Sequence, residues 1–143
     1  MADDGVTSPQ GEKEEHPSHA SDDLEGALNP ANIVTLFISC SKLINMDKLS
    51  ETDPTVKLFI KDETNDMWIF DEQTEVLNNS LDPKFTKSFT IHYFFEKTQA
   101  LKFEVYNANH CELEFLGQCQ TTVAKIMASR GQKFKDKLMN EHN

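Results

Sequence analysis

The sequence predicts an all-β fold, an antiparallel sandwich of short strands, and three observations carry that prediction. Four segments alternate apolar and polar residues with a period of two, the pattern of half-buried strands. Turn-forming residues separate them at 50–54, 62–66, 78–83 and 107–112, the spacing an antiparallel sandwich needs. At 143 residues the chain suits one ordinary domain with a core and is too short for two.

Residues 1–30 precede this pattern and are rich in Asp, Glu, Ser, Gly, His and Pro, with no aromatic and only scattered aliphatics such as Leu24 and Leu28. Such a segment buries too little surface to offset its ordering entropy, so it reads as a disordered acidic tail before a domain at 31–143. His16 and His19 within it lack further ligands and read as solvated.

Val34, Leu36, Ile38 and Cys40 share one face of the first strand. The loop that follows, Ile44-Asn-Met-Asp47-Lys-Leu-Ser-Glu-Thr-Asp53-Pro54, offers two carboxylates six residues apart. Val56, Leu58 and Ile60 then alternate with Lys57 and Lys61, Phe89, Ile91 and Tyr93 with Thr90 and His92, and Leu101, Phe103 and Val105 with Lys102 and Glu104. Tyr106-Asn107-Ala-Asn109 opens the last marked loop with amides rather than acids. Thr122 caps a short helix in which Val123, Ile126 and Met127 recur at helical spacing, ending near Arg130-Gly131. Phe134, Leu138 and Met139 are the last apolar residues, and no strand-like segment follows.

The net charge is −10, of which −7 falls in residues 1–32 and −3 in residues 33–143. Neither part has the basic footprint that neutralises phosphates, so nucleic acid is excluded as a partner. No apolar run approaches the roughly 20 residues that span a bilayer, the first residues lack the regions of a signal peptide, and Ala2 is not a myristoylation site. Cys40, Cys111 and Cys119 have neither metal-ligand nor redox spacing and read as reduced packing thiols in a cytoplasmic protein. The five glycines form no phosphate loop, dinucleotide fingerprint or nucleophile elbow, and His92 and His110 have no evident nucleophile partner. The chain is therefore expected not to be an enzyme, and binding carries the function.

Over about residues 29–138 the sequence resembles a C2 domain, and more narrowly the first C2 domain of copines. The carriers are Val34-Thr-Leu-Phe-Ile-Ser-Cys40, Met46-Asp47 followed by Thr52-Asp53-Pro54, Thr74-Glu75, Leu81-Asp-Pro-Lys-Phe85, Tyr93-Phe-Phe-Glu96, Leu101-Lys-Phe-Glu-Val-Tyr106, Phe115-Leu-Gly117 and the helical residues 123–130. The resemblance implies a C2-type antiparallel β-sandwich whose loops at one end bind calcium and dock on anionic phospholipid, a cytoplasmic module peripherally associated with membrane. It does not extend to the second C2 domain or the adhesion-type domain of full copines.

On this resemblance Asp47 and Asp53 match the two first-loop calcium ligands, while two third-loop acids align with Asn107 and Asn109, and the third acid is Glu114. Asn keeps a carbonyl oxygen but loses a unit charge, and charge count is the main variable that tunes calcium affinity. Calcium binding is therefore expected to fall toward roughly millimolar or to vanish. Asp53 before Pro54 also reads as a plain turn starter. Met46, Leu49, Leu81 and Leu113 are candidate membrane-entering tips, and Lys57, Lys61, Lys84 and Lys87 a candidate basic patch for phosphoinositides.

The family's final strand, which would lie beside the first, is missing. Residues 33–40 are thus expected to have an unpaired edge, one covered by residues 132–139, or one filled by a partner's strand. Two functions follow: a phospholipid-binding module with weakened calcium dependence, or a calcium-independent protein-interaction module that uses an open sheet edge.

Overall fold

A computed structural model describes residues 2–6, 32–45, 51–109 and 112–141. They form two four-stranded antiparallel sheets packed face to face. The strands are β1 (Ala2–Val6), β2 (Asn32–Cys40), β3 (Pro54–Asp62), β4 (Met67–Gln73), β5 (Lys84–Tyr93), β6 (Ala100–Ala108), β7 (Leu113–Thr122) and β8 (Lys133–Asp136). One sheet has the order β5-β2-β1-β8 and the other β4-β3-β6-β7. The alternation read in the sequence becomes the core. Val34, Leu36 and Ile38 of β2, Val56 and Leu58 of β3, Phe89 of β5 and Leu101, Phe103 and Val105 of β6 are buried between the sheets. Phe89 and Phe103 stack across that interface.

Helix α1 (Val123–Met127) begins where the sequence places it. The Thr122 hydroxyl accepts a hydrogen bond from the Lys125 N–H, and Val123 and Ile126 are buried. Gly131 takes a φ of 65° in the turn after it, a conformation that costs glycine little. Cys40 and Cys119 are buried in the core.

The missing final strand is corrected in two ways. Residues 133–136, read as non-strand, form β8, and β8 pairs with β1 rather than with β2. The place beside β2 is taken by Ala2–Val6, from the segment read as tail, in the register Ala2↔Cys40 to Val6↔Leu36. β2 is thus paired on both edges, to β5 and to β1. An apolar alternation is not required for this, because strand addition is held by main-chain hydrogen bonds. The rest of the expected tail, residues 7–30, lies outside the described residues, as does Cys111.

β4 escaped the sequence reading because it is an edge strand exposed on both faces, so its Met-Trp-Ile-Phe run has no period of two. After β8 the chain crosses to the other sheet, where Met139 and Gln118 exchange backbone hydrogen bonds at 2.7 and 2.8 Å. Gly117 permits this crossing, since a Cβ there would lie 3.0 Å from Leu138 Cβ and 3.2 Å from the Met139 carbonyl.

Candidate functional site

Three connections converge at one end of the sandwich, described at residues 41–45 and 51–53 between β2 and β3, 74–83 between β4 and β5, and 109 and 112 between β6 and β7. The structure brings together Asp53, Asn107, Asn109 and Glu114 there and joins them by side-chain hydrogen bonds. Asp47, with Met46 and Leu49, lies outside the described residues.

Asn107 is the hub. It sits on β6 opposite Pro54 and is fully buried. Its Oδ1 accepts the Asp53 N–H at 2.8 Å, and its Nδ2 donates to Glu114 Oε1 at 2.9 Å. Asn109 Nδ2 donates to the same Glu114 oxygen at 3.3 Å. One Asp53 carboxylate oxygen accepts the Asn79 N–H at 2.7 Å. Asp53 therefore does more than start a turn: its side chain ties the first loop to the second. Asp82 does the same in reverse, its Oδ1 accepting the Lys42 N–H at 2.8 Å. Sequence reading missed Asn79; its one signal is the Asn-Asn-Ser turn, in which Asn79 takes a φ of 52°.

The described donors by themselves do not form a calcium cage, and Asp47 lies outside them. A hard divalent cation needs about six to eight oxygen ligands, several of them charged. Here the one amide oxygen of Asn107 already faces a backbone N–H, and a Glu114 oxygen faces two amide groups. Among the described residues no three His, Cys, Asp or Glu side chains are grouped to hold a metal. Among the described residues these loops are linked by hydrogen bonds between the Asn107 amide and its neighbours.

Of the candidate membrane tips, Leu113 is exposed, but Leu81 is corrected: it is half-buried and packs against the core. The turn at Asp82-Pro83 folds it inward, and its carbonyl accepts the Leu43 N–H at 2.9 Å. Ile44 and Val76, not singled out from the sequence, are exposed on the first and second loops.

The four lysines of the candidate patch fall on two sheets. Lys57 and Lys61 lie on β3, whereas Lys84 and Lys87 lie on β5 in the other sheet. Lys61 pairs with Asp66 at 3.2 Å and Lys87 with Glu72 at 3.3 Å, while Lys57 lies over the Tyr106 ring. Lys102 and Glu104, the polar alternates of β6, are themselves buried and form an ion pair at 3.0 Å. Lys102 is covered by the Phe59 and Trp68 rings. Tyr106 donates to Glu104 Oε1 at 2.6 Å, and burial, then that carboxylate, push its hydroxyl far above the usual tyrosine range.

Comparison with known proteins agrees with this architecture. The C2 domain model matches residues 32–138. Copine-A of Dictyostelium discoideum is 33% identical over 103 residues, which cover 72% of this chain but only 17% of that protein. Among solved structures, the C2A domain of plant Extended Synaptotagmin 1 superposes with a TM-score of 0.54 at 23% identity, covering 65% of this chain and 70% of that one. The RIM C2A domain from Drosophila gives 0.55 at 13% identity, covering 86% and 85%. The calcium-bound C2A and C2B domains of Extended-Synaptotagmin 2 give 0.53 at 16%, covering 68% and 36%. With its two sheets, its short helix after β7 and its three-loop end, the chain belongs to the C2 domain family.

Proposed function

We propose that this chain is a phospholipid-binding C2 module that docks on the bilayer through its three-loop end, with calcium contributing little, and that it binds rather than catalyses. The observation that carries this reading is the composition of that end: Ile44, Val76 and Leu113 are exposed on it, and two of its expected acids are the amides Asn107 and Asn109. Apolar tips gain free energy on leaving water whatever the ion present. The charge of −3 over residues 33–143 gives an anionic leaflet no attraction that calcium would otherwise mediate.

Sedimentation with phosphatidylcholine vesicles, with and without added phosphatidylserine, tests it. Pelleting is expected to be equal in calcium and in chelator and to be lost in the Ile44→Glu, Leu113→Glu double variant. Pelleting only in micromolar calcium would overturn the reading. The similarity to Copine-A supports it, although the chain spans about a sixth of that protein's length, 17%.

A further inference from the structure

A two-sheet sandwich has four edges, each a row of unpaired N–H and C=O groups that invites another strand. Three of them are protected here by identifiable devices. On β5, the Glu75 carboxylate accepts the Thr86 and Lys87 N–H groups at 2.7 and 3.1 Å, and Glu72 accepts the Thr90 N–H at 3.2 Å. On β7, the backbone of Gln118 is bonded to Met139 at mid-strand. β8 is four residues long and carries Lys133 and Lys135, and short length and lysine both discourage pairing.

β4 has none of these over its first four residues, which bond only to β3 among the described residues and contain no charge or proline; a bulge follows at Asp71, where the register with β3 shifts. Met67, Ile69 and Phe70 are exposed to 59%, 52% and 51%, so the strand is apolar on both faces. Beneath it a groove of about 460 Å³ runs past Ile60 and Ile69 to Phe94 and Gln99. The groove's charges are unbalanced. Lys61 is held by Asp66 and Lys97 lies over the Phe94 ring, whereas Asp71 has no ion pair or hydrogen bond among the described residues. Burial, then neighbouring Glu72, push the Asp71 carboxyl above its ordinary value, an unfavourable setting that a cation would relieve.

We propose that residues 67–71 of β4, with this groove, receive an extended segment of another protein that is apolar on both faces and carries one basic residue opposite Asp71, added as a fifth strand to the sheet. Main-chain bonds supply the attachment, apolar side chains cover Ile69 and Phe70, and a Lys or Arg meets Asp71. Charge selects this occupant. A second copy brings its own Asp71 and Glu72 and a net charge of −10, and the undescribed residues 7–31 carry six acids against one lysine.

The test uses the full chain and a seven-residue peptide of valine and threonine with one lysine, read by hydrogen exchange. The peptide is expected to slow exchange of backbone amides within residues 67–71. Asp71→Asn is expected to weaken binding roughly two- to five-fold, the range of an exposed ion pair. Ile69→Lys, which installs an edge lysine, is expected to abolish the protection while the β6 amides stay protected. Four results would each overturn the proposal: protection arising elsewhere or not at all, equal binding of the peptide with glutamate in place of its lysine, the same protection from self-association without peptide, or the same protection from phosphatidylcholine–phosphatidylserine vesicles.

Discussion

Replacing Asn107 with Asp restores the residue type that the C2 resemblance expects and tests what the amide does in this chain. The Oδ1 acceptor for the Asp53 N–H is kept, but the Nδ2 donor to Glu114 is exchanged for a second carboxylate oxygen. A hydrogen bond to a charged group contributes about 1.5–3 kcal/mol, and the half-exposed Glu114 places this one at the lower end. Two like charges near 4 Å add a repulsion of about 1–4 kcal/mol between the limits of bulk water and a partly buried site. Together the loss is about 3 kcal/mol, roughly 10 °C in Tm for a domain of this size. Denaturant unfolding of Asn107→Asp in chelator measures it. The deficit is expected to shrink as pH falls through the carboxylate range, because one of the two carboxyls then takes a proton, and to shrink in millimolar calcium, which binds the folded state alone. A variant as stable as the parent in chelator at neutral pH would refute the assignment of Asn107 as a structural hub.

Gly117→Val is expected to push the C-terminal crossing off β7, since its added atoms meet Leu138 and the Met139 carbonyl. Faster exchange of the Gln118 and Met139 amides, with a loss of about 1–3 kcal/mol, is the predicted readout. Deleting residues 1–6 opens the slot between β2 and β8, so faster exchange in residues 32–40 and concentration-dependent association are expected. Unchanged exchange there would show that β1 is dispensable. Burial pushes the Glu75 carboxyl up, yet the backbone donors Thr86 and Lys87 outweigh it and hold the group below its ordinary value. Its contribution is therefore present above the ordinary glutamate pKa, about 4.3–4.5, and is lost as pH falls through the depressed one. Glu75→Gln is expected to flatten the acid limb of the stability profile, which a pH series of thermal melts records.

The relation of sequence to structure differs from element to element. β2, β3, β5 and β6 were legible because each buries one face in a common core, and burial on one face writes a period of two into the residues. The helix was legible through Thr122 and the spacing of Val123 and Ile126, which are local signals. β4 and β8 were not, because an exposed edge strand places no demand on side-chain alternation. β1 left no trace for a related reason: its place is secured by backbone pairing with β2 and β8, which any extended segment supplies.

At the candidate site, residue types alone marked Asn107 and Asn109 as departures from an acidic loop. That is a statement about charge, and charge is readable from composition. Only the tertiary structure decided what the amides do, by setting Asn107 where one group accepts from Asp53 and donates to Glu114. Likewise only folding placed the four lysines on two sheets, turned Leu81 inward, and left residues 67–70 of β4 as an exposed sheet edge. The sequence by itself determined the sandwich and the two amides in its third loop, because periodicity and residue type are local properties. Pairing, crossing and exposure were decided in three dimensions, because they depend on which distant backbone comes to lie alongside.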